Sequence, residues 1–182
     1  NEVLTINPTT RYVDDVKFWI EDFEDATDID LVEGPASTVS HNRVNDPTVL
    51  DPAINEGYYA NISLDETNDY WVASTIANST SLIMNLPKGA EVYLEIDYHN
   101  TVDVVTGVIS VNNFGEVTDN PNIQMNDQDP AAVVWKKIYI DLREIVSGSP
   151  DAEYFEFSFQ TLLGGGQTTG EINIDNIKAV YF

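Results

Sequence analysis

The sequence predicts an all-β fold, a sandwich or jelly roll of two antiparallel sheets with eight to ten strands. Short runs that alternate apolar and polar residues recur along the chain, which is the period of a half-buried strand. Turn-forming groups of Gly, Pro, Asn and Asp separate these runs. No stretch has the period of a long amphipathic helix, and at most one helical turn is expected, at 142–146. Many short strands with regular turns are typical of these two architectures.

We expect residues 1–14 to form a tail or linker and residues 15–182 to form a single domain. The segment 34–57 contains three prolines and many polar residues, and is predicted to be a long loop. In chain order, strands are predicted at 17–24, 58–64, 70–76, 81–86, 92–98, 104–111, 137–142, 154–160 and 171–182, with a further short strand around 123–125.

The stretch 171–182 predicts how the sheets are organised. It alternates apolar and polar residues up to Ile174 and then slips by one position. Ile177 follows Ile174 by three residues, so both side chains point inward only if a bulge lies at Asp175–Asn176. Because an apolar strand at a sheet edge would be a site of aggregation, we expect this one to pair deep within a sheet.

Composition limits the classes of function. The chain has 182 residues, 42% of them hydrophobic, which is enough for one domain with a sizeable core. Acidic residues outnumber basic ones 31 to 8, giving a formal charge of -23, which argues against a nucleic-acid partner and against anionic membrane surfaces. There is no cysteine for a disulfide or a thiolate metal site. No apolar run approaches the ~20 residues of a transmembrane helix.

Four stretches carry a resemblance to known proteins. Residues 174–178, Ile-Asp-Asn-Ile-Lys, resemble the closing strand of galactose-binding-like β-jelly rolls, the fold of many carbohydrate-binding modules. Residues 22–24, 92–98 and 135–142 are similar to stretches of a family of extracytoplasmic lipoproteins of Bacteroidetes built on that fold. The resemblance implies a jelly roll at the cell surface or in the periplasm, with a lipid anchor expected upstream of Asn1.

The same resemblance implies a structural calcium ion where the first and last strands meet. In such modules an acidic residue after a Phe near the start and an Asp near the end hold the ion, and Glu24 and Asp175 match these positions. Calcium prefers six to eight oxygen ligands. The alternative is that Asp175 hydrogen-bonds to backbone at the bulge and that Glu24 is solvated.

A set of aromatic residues forms the candidate ligand site. Sugars stack on aromatic rings through their flat C–H faces, while their hydroxyl groups need polar partners. The alternative is that the rings cover the sandwich edges, with their hydroxyl groups in water. The rings that lie in or beside predicted strands and form the candidate site are Tyr58, Tyr59, Trp71, Tyr93 and Tyr139.

Catalysis is not expected. Glu95 and Asp97 resemble the start of the catalytic strand of laminarinase-type sandwich hydrolases, but the second Glu of that motif is absent. Retaining hydrolysis needs two carboxyl groups about 5–5.5 Å apart. No Gly-x-Ser-x-Gly motif of a serine hydrolase occurs either.

The leading interpretation is a non-catalytic domain of an exported lipoprotein that binds an oligosaccharide or glycoconjugate and assists polysaccharide capture. The main rival is a structural or protein-interaction domain of a cell-surface lipoprotein, with a surface protein as its partner. A glycoside hydrolase ranks below both.

Overall fold

Two antiparallel sheets of six strands each make up the described part of the chain. The structure is a computed structural model, and it describes residues 17–26, 31–51, 57–75, 86, 89, 91–112, 114, 115, 117–119, 122–128 and 134–181. The elements are β1 Lys17–Glu21, β2 Leu31–Glu33, β3 Asn42–Val44, β4 Tyr59–Asp65, β5 Tyr70–Thr75, β6 Val92–Asn100, β7 Val104–Asn112, β8 Val117–Asp119, β9 Asn122–Met125, β10 Lys136–Asp141, α1 Arg143–Gly148, β11 Ala152–Leu162 and β12 Thr169–Tyr181.

The two sheets differ in strand order. The front sheet runs β10-β6-β12-β4-β3, and β1 also pairs with β12. The back sheet runs β2-β5-β11-β7-β8, and β9 also pairs with β7. The all-β sandwich predicted from the sequence is therefore confirmed. The additional strands are short ones, such as β2 and β3, which are only three residues long and carry little periodic signal. The predicted tail 1–14 and most of the predicted strand 81–86 lie outside the described residues.

Strand β12 lies inside the front sheet, as the sequence predicts. Residues Ile172–Tyr181 pair with β6 on one side, while the first part of β12 pairs with β4 and its second part with β1 on the other. The register against β6 shifts between Asp175 and Lys178, and Asn176 adopts a φ of 51°. Asparagine tolerates this left-handed conformation better than most residues. Ile174 and Ile177 are both fully buried, so the predicted bulge is confirmed.

The core fills the space between the sheets. Alternate residues of β6 and β11 point into it, and the buried set includes Leu94, Ile96, Phe155, Phe157 and Phe159. The alternation predicted for these two strands is therefore confirmed. The predicted helical turn is α1, whose Ile145 and Val146 are buried. Within the described ranges, no helix has the length and apolar character needed to cross a membrane.

Candidate functional site

The outward side of the front sheet, which we call the front face, carries buried polar groups. Antiparallel sheets usually expose one face to water, so outward polar residues are ordinarily solvated. Here Glu95, Asp97 and His99 of β6 are only 6%, 0% and 2% exposed, and Asn173 and Asp175 of β12 are 0% and 1% exposed. Buried polar groups need partners, and several such groups together indicate a built site.

A network of two carboxylates and two lysines occupies the centre of the front face, and we call it the lysine network: Glu95, Asp97, Lys137 and Lys178. Lys137 Nζ lies 2.5 Å from Glu95 Oε1 and 2.7 Å from Asp97 Oδ1. Lys178 Nζ lies 2.8 Å from the same Glu95 oxygen. The strands explain this convergence, because Lys137 pairs in register with Asp97, and Lys178 with Glu95.

The environment moves the pKa values of the two carboxylates in opposite directions. Burial works to raise the pKa of Glu95, but the hydrogen bonds and charges of Lys137 and Lys178 outweigh it, so the pKa is lowered. Burial also raises the pKa of Asp97, and there Lys137 and Asn176 offset it only in part. The pKa of Lys137 is raised because its two carboxylate partners outweigh the effect of its own burial. Lys137 therefore stays an ammonium ion between the two acids.

The β12 bulge adds a third carboxylate beside the lysine network. Asp175 pairs in register with Asp97, and Asn176 lies between their side chains. Its Nδ2 donates to Asp97 Oδ2 at 3.0 Å and to Asp175 Oδ2 at 3.2 Å. The backbone N–H of Asn176 donates to Asp175 Oδ1 at 2.8 Å. The bulge thus positions one amide to hold two neighbouring acids.

An amide network continues along the front face toward β4. Asn61 Nδ2 donates to Asn173 Oδ1 at 2.7 Å, and Asn173 Nδ2 donates to Glu171 Oε1 at 2.9 Å. Asn173 Nδ2 also lies 3.3 Å from His99 Nδ1. These side chains fix one another's orientation, so this part of the face is rigid and polar.

Two of the predicted rings, Tyr93 and Tyr139, lie on the front face, and we call them the tyrosine pair. Tyr139 on β10 is 57% exposed, and Tyr93 on β6 is half-buried. Tyr139 pairs in register with Glu95, so the rings are diagonal neighbours on adjacent strands, within reach of one ligand. Burial, followed by a hydrogen bond to Glu95, raises the pKa of Tyr139 to about 12. Its hydroxyl group therefore stays protonated at neutral pH.

The other three predicted rings lie elsewhere. Trp71 is 0% exposed and packs against Phe159, so it is a core residue and cannot face a ligand. Tyr59 points to the front face but is 2% exposed, because Trp135 covers it at a ring-centroid distance of 5.6 Å. The expectation that these two rings line a surface site is therefore corrected. Tyr58 is half-buried, with the guanidinium of Arg43 3.2 Å from its ring centroid.

The structure gives Glu24 and Asp175 partners within the protein. Glu24 Oε1 accepts from the backbone N–H of Tyr58 at 2.7 Å, and both oxygens of Asp175 accept from Asn176. Gly57 adopts a φ of 83°, a conformation that other residues rarely adopt, and a Cβ there would displace the Glu24 carboxylate, so glycine is favoured. Among the residues that the structure describes, no three acidic or histidine side chains are grouped to hold a metal ion.

Arg43 supplies the positive charge beside this turn. Its Nη2 donates to the carbonyl of Glu24 at 2.7 Å, and its Nε donates to the carbonyl of Phe23. These carbonyl oxygens are of the kind that complete a calcium shell. Since a guanidinium already binds them, the contacts around Glu24 do not favour a cation there.

Sequence reasoning missed Lys137, Lys178, Asn176 and Trp135 as site residues. The alternation of Glu95 and Asp97 on one strand, with Lys137 and Tyr139 alternating on another, was a usable signal. It placed each group on one face of its own strand. It did not show that the two strands are neighbours with Lys137 opposite Asp97, because register depends on tertiary pairing.

Comparison with known proteins relates this chain to others through its fold. No protein-family model and no curated protein matches the sequence. The enzymatically active domain of tailspike protein 4 of bacteriophage CBA120 has a TM-score of 0.64 at 13% identity, covering 88% of this chain and 20% of that one. The family 30 carbohydrate-binding module of a Clostridium thermocellum cellulosomal cellulase has a TM-score of 0.60 at 14% identity, covering 91% and 97%.

A further module of the same organism, the family 11 carbohydrate-binding module of a cellulosomal cellulase, has a TM-score of 0.52 at 15% identity. The match covers 91% of this chain and 95% of that module. At identities this low, the structural similarity shows only that the fold is shared. The chain spans a small part of the tailspike protein and nearly the whole length of both modules.

Proposed function

We propose that this chain is a non-catalytic carbohydrate-binding domain that takes an oligosaccharide on its front face. The observation that carries the proposal is Tyr139, 57% exposed beside the fixed charges of the lysine network. An exposed ring on a rigid sheet can stack against the C–H face of a sugar, and the polar groups beside it can bind the sugar's hydroxyl groups. The two carbohydrate-binding modules that share the fold over their whole length support it.

The chemistry of the face suits a polyhydroxylated ligand. The face of an aromatic ring is electron-rich, so it attracts the polarised C–H groups of a sugar ring. Binding sites add a few well-placed polar groups that orient the ligand. Lys137, whose side chain is 30% exposed, supplies N–H donors, and Glu95 is held by two lysines in a fixed position. The side chains of Lys137 and Glu95 are already fixed before the sugar binds, so binding costs little of their conformational entropy.

The charge of the chain selects the class of glycan. With a formal charge of -23, the protein repels uronic-acid and sulfated polymers over a Debye length, which is about 8 Å at physiological ionic strength. Neutral or basic oligosaccharides meet no such barrier. We therefore propose a neutral or basic glycan, bound with a Kd of ~10 μM to 1 mM, equivalent to about 4–7 kcal/mol.

The non-catalytic role is supported by the state of the carboxylates. Glu95 and Asp97 share Lys137, and both are almost completely buried. A general acid must reach the glycosidic oxygen of its substrate within hydrogen-bond distance. Carboxylates held under lysines suit a structural and electrostatic role better.

Replacing Tyr139 by alanine should weaken glycan binding about tenfold or more, because the exposed ring is lost from the face. Binding is measured by calorimetry on glycans that score in a broad plant, host and microbial panel. Tyr154→Ala is the matched control, because Tyr154 lies on β11 of the back sheet and pairs with Val111. Equal affinities for the wild type and the Tyr139 variant would move the site elsewhere, and no binding across the panel would contradict the proposed function.

A protein-interaction domain is the second candidate. The back sheet exposes two apolar side chains, those of Leu162 and Val32, which are 59% and 39% exposed. They lie on opposite sides of β5, opposite Tyr70 and Ser74, and do not form one patch, so this candidate ranks second. The extracytoplasmic, lipid-anchored location stays a prediction from the resemblance, and fractionation of cells that express the full-length protein tests it.

Calcium binding by Glu24 and Asp175 also stays a prediction. If the ion links the two strands with a Kd of ~10 μM, then ~1 mM calcium adds about 2.7 kcal/mol to the free energy of unfolding. The melting temperature would then rise by roughly 5–10 °C, and Asp175→Asn would remove most of the rise. Coincident melting curves in calcium and in chelator would leave both residues in the hydrogen-bonding roles described above.

A further inference from the structure

A cleft lies at the β10 edge of the front sheet, and we call it the edge cleft. Its volume is about 660 Å³, within the ~300–1,000 Å³ typical of small-molecule sites. Two isoleucines supply apolar surface, and the other lining side chains are polar or charged. The lining residues are Ile123, Asp141, Arg143, Glu144, Ile145 and Ser147.

The edge cleft continues from the tyrosine pair. Asp141 pairs in register with Tyr93, so one residue lines the cleft while its partner lies on the front face. The guanidinium carbon of Arg143 lies 6.0 Å from the centroid of the Tyr93 ring. A ligand that stacks on the tyrosine pair and extends past β10 would therefore enter the cleft directly.

Arg143 is held in one orientation within the cleft. Its Nε donates to both carboxylate oxygens of Asp141 at 2.9 Å, its Nη2 also pairs with Asp141, and its backbone N–H donates to the same group at 3.0 Å. Hydrogen bonds from Arg143 lower the pKa of Asp141, which keeps the pair charged. The guanidinium has five N–H donors and its side chain is 47% exposed, so donors remain for a ligand.

The charges around Arg143 decide what kind of ligand the cleft accepts. Asp141 neutralises the guanidinium, Glu91 lies 3.5 Å from its Nη1, and Glu144 lines the same cleft. Two carboxylates flank the guanidinium and a third lines the cleft, so an acidic ligand would meet net repulsion. A neutral polyol can instead accept from the guanidinium and donate to the carboxylates, because each hydroxyl group does both.

We propose that the edge cleft binds a further sugar unit of the same neutral oligosaccharide. The cleft then makes binding selective for longer chains over shorter ones and for neutral chains over acidic ones. This rests on the proposed function of the front face. The tyrosine pair then takes the first units, and the Arg143–Asp141 pair binds the hydroxyl groups of a unit beyond them. Longer oligosaccharides gain affinity that short ones lack.

The test uses the whole domain and neutral oligosaccharides from cellulose, xylan, mannan and agarose, each as disaccharide, tetrasaccharide and hexasaccharide. Arg143→Gln should weaken hexasaccharide binding about tenfold and leave disaccharide binding unchanged. Ser147→Met narrows the cleft from the side of α1, so it should also weaken hexasaccharide binding and leave disaccharide binding unchanged. Tyr139→Ala should weaken binding of the disaccharide, the tetrasaccharide and the hexasaccharide alike. Oligogalacturonides of matched length should bind more weakly than the neutral series.

The outcomes separate the two proposals. If no neutral oligosaccharide binds the wild type, this inference fails, and the proposed function fails with it only when the broad glycan panel, basic glycans included, also gives no binding. If the wild type binds but Arg143→Gln and Ser147→Met lose nothing at any length, only the edge cleft is contradicted. A loss that is equal at all lengths for both variants also contradicts the cleft as a separate subsite, as does tighter binding of the oligogalacturonides.

Discussion

Replacing Trp71 by alanine is expected to lower the free energy of unfolding by about 3–5 kcal/mol, as large core truncations do. The indole is 0% exposed and stacks near Phe159, with ring centroids 6.3 Å apart, so its removal leaves a cavity in the core between the two sheets. For a domain of this size the melting temperature should fall by roughly 10 °C. Urea unfolding followed by circular dichroism measures the change.

Two variants serve as controls for Trp71→Ala. Trp71→Phe should cost much less, because it keeps a ring and removes an indole N–H that has no hydrogen-bond partner within the described part of the chain. Leu162→Ala, on β11 but 59% exposed, should stay within about 0.5 kcal/mol of the wild type. A cost below about 1 kcal/mol for Trp71→Ala would mean that the side chains of β5 face the other way.

Replacing Lys137 by methionine should lower the free energy of unfolding at neutral pH by about 2–4 kcal/mol. The methionine keeps most of the side-chain volume but removes the ammonium ion between Glu95 and Asp97. Lys178 remains 2.8 Å from Glu95, so the larger loss falls on Asp97, which is 0% exposed. Lys136→Met makes the same charge change at a neighbouring exposed position and should have little effect.

The loss caused by Lys137→Met should shrink as the pH falls. The pKa of Asp97 is already raised in the folded state, so the stability this group contributes is present at low pH and is lost as the pH rises through that pKa. Without the ammonium ion its pKa rises further, and protonation restores stability at a higher pH. Glu95 has the opposite shift: its lowered pKa contributes stability at neutral pH that is lost as the pH falls. Because part of that contribution comes from Lys137, the difference between the variant and the wild type also shrinks on acidification for this group.

Unfolding measured at about pH 7 and about pH 5 tests this dependence. We expect a smaller difference between the variant and the wild type at the lower pH. A difference that stays the same at both pH values would show that the pKa values of the two carboxylates do not depend on Lys137, and a difference that grows on acidification would contradict the predicted sign.

The sequence predicted the parts of the fold that depend on local pattern. The break in alternation between Ile174 and Ile177 predicted the bulge, because the alternation of inward and outward side chains can be followed along a single strand. The sequence did not show which alternate residues of β5 face the core. The two alternate sets are alike in size and polarity, and they are Tyr70, Val72 and Ser74 on one face and Trp71, Ala73 and Thr75 on the other. Which face is buried depends on the strands that flank β5.

The candidate site shows the same limit. Tyr139 and Tyr93 could be chosen because each alternates with core residues of its own strand. Tyr59 also points outward, but Trp135 from a distant part of the chain covers it. The contact between Asn176 and Asp97 spans 79 positions and depends on the pairing of β12 with β6. Non-local contacts of this kind are not encoded in any short window.

The position of β12 has a consequence for the order of events during synthesis. It separates β6 from β4 and β1, so the front sheet cannot close until residues 169–181 have left the ribosome. Until then the backbone N–H and C=O groups along the facing edges of β6 and β4 have no strand to pair with. Contacts of such long sequence separation form slowly. Shortening β12 by a few residues should therefore leave a kinetically trapped, aggregation-prone chain rather than a slightly less stable domain.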